Sequence, residues 1–276
     1  FARPMHWIVA LYGGAVVPFT HGNLTSGNKS RGHRFMAPQE FVVTGVADWL
    51  DGCRKHFVTA DHNERKAIIR EQVEATGKAA GGTTALDEKL LEEVTYLVED
   101  ATPLCGTFDE TFLQLPRELL VTSMREHQRY FTIEDDQGKL LNKFITVSNT
   151  RPEDEQVVIK GNQRVIRARL SDAMFFWEED QKNTLESNLE SLKQVIYQAK
   201  LGSSFEKVER FTKIATGLAE RFEPGAVALT ERAAKLAKCD LESKMVYEFP
   251  ELQGIMGREY SRIEGEDLRV SIAIFE

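Results

Sequence analysis

The spacing of apolar residues changes near residue 180, and this change constrains the fold more than any other feature of the chain. Before it, short apolar runs are separated by glycines and polar turns, which is typical of strands mixed with a few helices. After it, apolar residues recur at helical spacing from Leu185 to Ile196 and beyond. A length of 276 residues also suits about two domains. We therefore predict an α+β fold, with a mixed α/β domain over residues 1–178 and an incomplete all-α domain over residues 179–276.

In the first domain, residue alternation and turn residues define the predicted elements. Gly13 and Gly14 make the turn of a hairpin whose strands are residues 6–12 and 15–19. Gly77 is predicted to end a helix that covers residues 64–76. The remaining predictions are strands at 41–44, 130–133 and 143–148, a helix at 87–99, a polar loop at 21–32 and a break at Pro103.

The second domain is predicted to consist of helices alone. Its first helix covers residues 185–202, and Ser203 with Glu206 forms the capping box of the next one. That next helix repeats apolar residues on one face from Val208 to Phe222. Two further helices are predicted at residues 230–247 and 252–261.

Composition excludes several classes of protein. Hydrophobic residues make up 42% and charged residues 28% of the chain, which excludes a disordered or fibrous protein. No apolar run approaches the ~20 residues of a membrane span, and no secretion signal precedes the first strand. Three widely spaced cysteines (Cys53, Cys105 and Cys239) favour a reducing cytoplasm over a disulfide framework. Because strand-like sequence begins almost at Phe1, we expect an internal fragment of a longer protein.

Charge is distributed in blocks along the chain. The formal net charge is −8, but residues 1–50 and 111–170 each carry +2, whereas residues 51–110 and 171–276 each carry −6. An acidic protein can bind a polyanion only through a local basic patch. The two basic blocks are therefore where a polyanion site is expected.

Residues 22–30 (GNLTSGNKS) come close to a phosphate-binding P-loop. The true pattern places Lys directly after the second glycine, where its ammonium reaches the phosphates. Here Asn28 separates Gly27 from Lys29, and no helix is predicted to follow. A mobile polar loop is the better interpretation, and no ATP site is expected.

Residues 29–35 carry four basic or titratable side chains and no acid. In a functional interpretation, Arg31 and Arg34 fork onto phosphate oxygens, with His33 between them. Phe35 could stack on a base or anchor the loop in the core. The alternative is a solvated loop, and the sequence leaves both interpretations open.

A second polar cluster, at residues 123–131, precedes a predicted strand and contains Arg125, His127 and Arg129. His127 could act as a general base beside Glu126, but neighbouring residues on a strand face opposite ways. No Ser or Cys nucleophile accompanies it at a suitable spacing. A histidine that contacts a substrate or supports the fold is favoured over a hydrolytic dyad.

The most basic segment is residues 160–169, which contain no acid and four cations: Lys160, Arg164, Arg167 and Arg169. If the segment is helical, its buried stripe consists of Ile166, Leu170, Ala173 and Trp177. Arg164 and Arg167 then share a neighbouring face, which could lie along a nucleic-acid backbone. The cations could equally pair with the acids that follow, which are Asp172, Glu178, Glu179 and Asp180.

No metal site is predicted. All six histidines lie before residue 128 and the helical domain contains one cysteine, Cys239, so there is no short-spaced Cys/His set for zinc. A metal-dependent phosphohydrolase site in the helical domain would need carboxylates alone, such as Asp240 and Glu248. Solvated helix faces explain those carboxylates more simply.

Seven segments resemble the β subunit of bacterial glycyl-tRNA synthetase. They stand in the same order and extend from residue 3 to residue 258: RPMHW (3–7), RGHRF (31–35), REHQRYF (125–131), ITVSN (145–149), GNQRVIRARLSDAMFFW (161–177), QAKLG (198–202) and EFPELQGIMGR (248–258). Chance does not account for matches of this length and coverage.

The resemblance implies a fold and an activity. In that family, α and β chains together join glycine to its tRNA with ATP; the α chain carries the class II catalytic site and the β chain supplies tRNA recognition. The first domain would resemble the editing-type domain of the phenylalanyl-tRNA synthetase β chain. The second would resemble a metal-free, non-hydrolytic HD phosphohydrolase domain.

The resemblance also implies partners. These are the α subunit and the tRNA for glycine, in a cytoplasmic hetero-oligomer of two α and two β chains. ATP and Mg would be used on the α subunit, so this chain would bind no cofactor and no metal and would contribute no catalytic residue.

Under this resemblance, the basic residues of the three polar segments are the candidate tRNA contacts. They are Arg31, His33, Arg34, Arg125, His127, Arg129, Arg164, Arg167 and Arg169. Phosphate contacts dominate affinity for RNA, and unpaired ends give selectivity. Two rival functions remain: a hydrolase that edits misacylated tRNA with His127 positioning water, and a scaffold for the α chain.

Overall fold

The structure of the protein is a computed structural model that describes residues 5–276. Arg3 and Pro4, from the first of the resembling segments, lie outside the described residues. The strands are β1 (Ile8–Val9), β2 (Leu11–Tyr12), β3 (Ala15–Val16), β4 (Thr20–His21), β5 (Leu24–Gly27), β6 (Lys29–Arg31), β7 (Glu40–Val42), β8 (Thr83–Ala85), β9 (Thr102–Thr107), β10 (Phe131–Glu134), β11 (Leu140–Ser148), β12 (Ile196–Gln198) and β13 (Gly202–Ser203). The helices are α1 (Val46–Lys55), α2 (His62–Ala79), α3 (Glu88–Leu97), α4 (Arg117–Gln128), α5 (Glu155–Asp180), α6 (Ser204–Phe222), α7 (Val227–Leu236), α8 (Lys244–Glu248), α9 (Ile255–Ile263) and α10 (Leu268–Phe275). The mixture of helices and small sheets agrees with the predicted α+β class.

Contacts divide the chain into two compact units. Unit 1 consists of Phe1–Asp109 and Met124–Ile166, and unit 2 of Glu110–Ser123 and Arg167–Glu276. This division differs from the single boundary predicted at residue 178, because the residues of α5 on either side of position 166 contact different units. The domain boundary and the two domain resemblances remain predictions.

A four-stranded antiparallel sheet forms the centre of unit 1. Its strand order is β8-β10-β11-β9. Helices α2 and α3 pack against it through one buried cluster, which consists of Ile69, Val73, Leu90, Leu91, Val94, Val98, Phe131, Ile133 and Ile145. Burying each such side chain contributes about 1.5–3 kcal/mol, so this cluster is the main source of stability in unit 1.

The predicted strands at residues 130–133 and 143–148 are confirmed as β10 and β11, which pair in antiparallel register. The predicted break at Pro103 is wrong. Pro103 lies inside β9, which is an edge strand of the sheet. An edge strand accepts proline because one row of its N–H groups makes no ladder hydrogen bond.

The predicted helices at residues 64–76 and 87–99 are confirmed as α2 and α3. Gly77 does not end α2, which continues to Ala79. A Cβ atom on Gly77 would lie 2.2 Å from Oγ1 of Thr84 in β8. This glycine therefore allows the helix to approach the sheet closely, which is a different role from the predicted stop.

The N-terminal hairpin is confirmed, since β2 pairs with β3 across Gly13 and Gly14. These glycines have φ of +58° and +83°, as a two-residue hairpin turn requires. The polar loop predicted at residues 21–32 is wrong. It contains β5, which pairs with β1, and β6, which pairs with β7. Both strands are short and polar, so they lack the apolar alternation that identifies a strand in a sequence.

The first helix predicted for the second domain does not form. Residues 185–202 instead contain two 3-10 turns, Leu185–Asn188 and Ser191–Lys193, followed by the ribbon of β12 and β13. Leu185 and Leu192 are both buried. The leucines therefore pack in the core as predicted, but they lie in 3-10 turns and not in an α-helix. The ribbon also means that the second domain is not built of helices alone.

The capping box of Ser203 and Glu206 is confirmed at the start of α6. The single helix predicted at residues 230–247 is wrong, because the chain there forms α7, a 3-10 turn (Cys239–Glu242) and α8. Ser243 begins α8, since its Oγ accepts a hydrogen bond from the N–H of Val246 (3.1 Å). Across residues 5–276, no helix combines the length and the apolar character needed to cross a membrane.

Candidate nucleic-acid interface

The basic segment at residues 29–35 is not a single exposed cluster. Arg31 in β6 donates a hydrogen bond to Glu40 in β7 (3.0 Å), and Lys29 lies 3.3 Å from the same carboxylate. Hydrogen bonding from Arg31, with a contribution from Lys29, holds the pKa of Glu40 below its ordinary value. His33 is fully buried and is therefore withdrawn from the candidate RNA contacts.

Arg34 and Phe35 form the exposed part of this segment. Phe35 is 73% exposed, so it does not anchor the loop in the core. The Arg34 guanidinium lies 5.6 Å from the centroid of the Phe35 ring, and it has no carboxylate partner among residues 5–276. A cation beside an exposed ring can meet a phosphate and a base together.

The second polar cluster holds the fold of unit 1 together. Arg125 forms ion pairs with Asp87 (2.7 Å) and Glu126 (2.8 Å). Arg129 forms an ion pair with Glu93 (2.7 Å), and its guanidinium also donates to the main-chain carbonyls of Arg125 and Glu126 at the end of α4. Such hydrogen bonds from a guanidinium satisfy the last main-chain carbonyls of a helix, which have no partner within the helix. The guanidinium groups of both arginines are thus paired with carboxylates of or next to α3, and their role as RNA contacts stays a prediction.

His127 lies in the last turn of α4, not on a strand. The carboxylate of Glu126, its suggested catalytic partner, is bound to Arg125 at 2.8 Å. Adjacent residues on a helix point about 100° apart, which does not favour a dyad of these two sequence neighbours. The half-buried His127 stays an untested candidate for an RNA contact.

The third basic segment is helical, as the sequence allowed, and lies within α5. Ile166, Leu170 and Ala173 are completely buried. At the unit 1 end, the Tyr130 hydroxyl donates to Oδ1 of Asn162 (2.6 Å), and burial raises the pKa of that hydroxyl to about 12. These contacts fix the rotation of α5 and so decide which of its side chains face solvent.

The solvent face of α5 carries three cations, Lys160, Arg164 and Arg167, which we call the α5 stripe. They are spaced i, i+4 and i+7, so they share one face and extend about 10 Å along the helix axis. All three are exposed, and none has a side-chain hydrogen bond or ion pair within residues 5–276. Gly161 and Val165 lie between them and add little bulk.

The acids that could have neutralised the stripe bind elsewhere. Glu179 pairs with Lys182 and Lys244. Asp180 accepts hydrogen bonds from the N–H groups of Lys244 (2.8 Å) and Met245 (3.0 Å) at the start of α8. The alternative in which these acids pair with the cations of α5 is therefore not what the structure shows.

Arg169 differs from the α5 stripe although it belongs to the same basic segment. Its guanidinium lies 3.1 Å from Glu248. Its charge is therefore already compensated, which makes it a matched control for Arg164 and Arg167. Within residues 5–276, no three His, Cys, Asp or Glu side chains come together as a metal site would need.

Comparison with known proteins adds to this geometry. A family model described as "Glycyl-tRNA synthetase beta subunit" matches residues 1–276, the whole chain. The chain belongs to this family. The resemblance inferred from the seven segments is therefore confirmed.

Curated relatives of the glycyl-tRNA synthetase β-subunit family extend well beyond this chain. The glycine–tRNA ligase beta subunits of Syntrophotalea carbinolica, Geobacter sulfurreducens and Trichlorobacter lovleyi are 60%, 59% and 55% identical to it. Each match covers all of this chain and 40% of the relative. The chain thus spans less than half the length of these relatives.

Within the glycyl-tRNA synthetase β-subunit family, matching a motif does not make its residues functional. The segment at 125–131 contributes ion pairs that join helices, whereas Arg164 and Arg167 of the segment at 161–177 have no ion pair in the part of the chain that the structure describes. Lys160 precedes that segment and was not among the candidate contacts. The sequence feature that could have identified Lys160 as a further candidate is its i, i+4, i+7 spacing with Arg164 and Arg167, which places the three cations on one helix face.

Proposed function

We propose that this chain is part of the β subunit of a glycine–tRNA ligase and that it binds the tRNA through the α5 stripe. Membership of the family and the names of the relatives support the role in glycyl-tRNA synthesis. In this proposal, the α subunit carries out the ATP- and Mg-dependent chemistry, in a cytoplasmic assembly of two α and two β chains. The present chain then contributes no catalytic residue.

The observation that carries the tRNA role is the unneutralised charge of the α5 stripe. The protein has a net charge of −8. Arg31, Arg125 and Arg129 are paired with acids, whereas Lys160, Arg164 and Arg167 have no side-chain partner within residues 5–276. Free cations along one rigid helix can neutralise successive phosphates and release their counterions. Such contacts position an RNA without reading its sequence.

The exposed pair of Arg34 and Phe35 is proposed as a separate contact in unit 1. Its ring offers a stacking surface for an unpaired base, and its guanidinium offers a phosphate contact. An unpaired base is available in loops and at the ends of a folded RNA. This pair would therefore add preference for tRNA regions that are not double-stranded.

The rival functions make different demands on the structure. An editing hydrolase that uses His127 gains no support, because Glu126 is bound to Arg125 and His127 lies on a helix. A scaffold for the α chain would need contacts with protein, and a mostly apolar protein interface responds weakly to salt. Phosphate contacts respond steeply to salt, so the two functions can be separated experimentally.

The experiment uses the full β subunit assembled with its α subunit and compares the parent with two variants. Arg164→Gln with Arg167→Gln removes two stripe cations, and Arg169→Gln removes a compensated cation from the same helix. Two lost phosphate contacts should raise KM for tRNA about tenfold. Glycine-dependent ATP–pyrophosphate exchange, which reports on the α chemistry, should not change.

Arg169→Gln should raise KM for tRNA much less than the double variant, because Glu248 already pairs with this guanidinium. An unchanged KM in the double variant would contradict the proposal. A fall in pyrophosphate exchange together with loss of the α subunit on gel filtration would instead support the scaffold.

A further inference from the structure

Unit 1 contains a pocket that no part of the proposed tRNA contact uses. It has a volume of about 690 Å³ and lies among β1, β2, β6, the end of β7 and α1. This size is within the range of roughly 300–1,000 Å³ that small-molecule sites occupy. Val43 and Cys53 form part of its floor and are only 2% and 3% exposed. The floor is therefore apolar and already formed.

Two of the three tryptophans in the chain line this pocket, Trp7 and Trp49. Each is held in place by a polar neighbour. The indole N–H of Trp49 donates to Oγ of Ser30 (3.3 Å), and the guanidinium of Arg31 lies 5.9 Å from the centroid of the Trp7 ring. Aromatic walls positioned in this way favour a flat ring as the ligand.

A carboxylate, that of Glu99, lines the same pocket. Its main chain is fixed, since its N–H donates to Oδ1 of Asn149 (2.6 Å) and its carbonyl accepts from Thr59 (2.9 Å). In the part of the chain that the structure describes, no Lys or Arg lies within ion-pair distance of this carboxylate. Glu99 therefore offers a free acceptor beside the two indoles.

His33 lies beside Glu99 but does not satisfy that carboxylate. Nδ1 of His33 accepts hydrogen bonds from the N–H groups of Phe35 and Met36, both at 3.3 Å. Its proton must therefore be on Nε2. Nε2 is buried without a hydrogen-bond partner and lies 3.9 Å from Oε2 of Glu99. A buried polar group without a hydrogen-bond partner favours either a bound ligand or a small shift of its side chain that supplies the missing hydrogen bond.

The two charges in the pocket restrict the ligand. Arg31 is already bound to Glu40, so an anionic ligand would meet the carboxylate of Glu99 without gaining a free cation. A purely apolar ligand would bury Glu99 without a partner, which is costly. A flat ring with an amino group can contact both the tryptophans and Glu99, because the ring stacks on indole and the amino group donates a hydrogen bond to the carboxylate.

We propose that this pocket binds an amino-bearing heteroaromatic base of the purine type, with its ring against Trp7 and Trp49 and its amino group donating to Glu99. The base can belong to a free nucleotide or to an unpaired nucleotide of an RNA. The site shares no residue with the α5 stripe and does not rest on the proposed tRNA contact.

Tryptophan fluorescence of residues 1–276 provides the test, since a Trp177→Phe background leaves Trp7 and Trp49 as the tryptophans of that stretch. Adenosine and purine riboside are titrated because they differ only in the amino group of the base. Adenosine should quench the emission in a saturable way, and purine riboside should bind at least about tenfold more weakly. Glu99→Ala should remove this difference, whereas Glu153→Ala, an exposed acid outside the pocket, should preserve it.

Two further titrations identify the source of the base. A short single-stranded oligoadenylate that binds tighter than AMP assigns the site to RNA, and the reverse order assigns it to a free nucleotide. Circular dichroism confirms that each variant is folded. The proposal is overturned if folded protein shows no saturable quenching by adenosine, if purine riboside binds equally well, or if tetramethylammonium binds more tightly than adenosine and thereby shows a site for organic cations.

Discussion

Asp240 is fully buried in unit 2, and replacing it by asparagine tests how its carboxyl group is held. Oδ2 accepts hydrogen bonds from the N–H groups of Gly254 (2.5 Å) and Gly257 (3.1 Å), whereas Oδ1 is buried without a partner. Burial raises the pKa of Asp240 above its ordinary value of 3.8, and the two backbone donors oppose this shift without cancelling it. Asp240→Asn keeps an acceptor for both donors and removes the charge.

The sign of the pH effect follows from the raised pKa. Above pH ~4 the unfolded chain has released the Asp240 proton, while the folded protein keeps it until the raised pKa is reached. The free energy of unfolding therefore falls as pH rises in this window, by up to about 1.4 kcal/mol per pH unit. D240N removes this dependence, so it gains stability relative to the parent as pH rises from 4 to 7.

Removing the acceptor altogether should have the opposite effect on stability. Asp240→Ala leaves the N–H groups of Gly254 and Gly257 buried without a partner, at about 1–3 kcal/mol for each. The expected loss is therefore about 2–6 kcal/mol in the free energy of unfolding of unit 2. D240A and D240N thus differ in sign near neutral pH, although both remove the same charge.

Urea unfolding measured by the fluorescence of Trp177 provides the assay. Trp177 stacks on Tyr260 at 5.3 Å in unit 2, and Trp7→Phe with Trp49→Phe leaves it as the one tryptophan of residues 1–276, the stretch used for the assay. The free energy of unfolding is measured at several pH values between 4 and 7 for the parent, D240N and D240A. Parallel pH profiles for the parent and D240N would refute the reasoning, as would a D240A variant as stable as the parent.

Three further substitutions test packing and hydrogen bonding, each by urea or thermal unfolding. Gly77→Ala should cost about 1–3 kcal/mol, because its Cβ would meet Oγ1 of Thr84 at 2.2 Å; an unchanged midpoint would contradict the close packing. Gly161→Ala is its matched control in an exposed helix, where an added Cβ meets nothing within 4 Å, and it should stabilise by about 0.5–1 kcal/mol. Tyr260→Phe removes a 2.7 Å hydrogen bond to Asp180 and should cost about 1–2 kcal/mol, so a neutral result would show that this bond adds nothing.

The spacing of apolar residues correctly predicted those helices and strands in which the apolar residues of the local pattern are the ones that pack in the core. It located α2, α3, β10, β11 and α6, and the capping box at Ser203 and Glu206 marked the start of α6 correctly. In each of these elements the local pattern and the tertiary packing agree, which is the condition under which a local signal suffices.

The failures occurred where distant contacts override the local pattern. The leucines from Leu185 to Leu192 have helical spacing, but the structure buries Leu185 and Leu192 by means of two short 3-10 turns. Taken alone, Pro103 and Gly77 each predict the end of a strand or helix. The structure places Pro103 in an edge strand, which tolerates proline, and Gly77 where close packing of a helix on the sheet requires glycine. These outcomes depend on partners that a single sequence does not specify.

The candidate site was likewise predicted only in part from the sequence. The sequence identified the basic segments, but it could not show that Arg125 and Arg129 have acidic partners 38 and 36 residues earlier in the chain. It left open whether Arg164 and Arg167 pair with the following acids, and the structure shows that they do not. The pocket of Trp7, Trp49 and Glu99 had no sequence signal, because its walls come from separate elements.

The salt dependence of tRNA binding tests the central claim most directly. Affinity of the β subunit for glycine tRNA is measured over a range of salt for the parent, Arg164→Gln with Arg167→Gln, and Arg169→Gln. Each lost phosphate contact lowers the slope of log affinity against log salt by about 1, so the double variant should lose about 2 units of slope and the Arg169 variant much less. Equal slopes for all three proteins would contradict the claim that the α5 stripe binds tRNA phosphates.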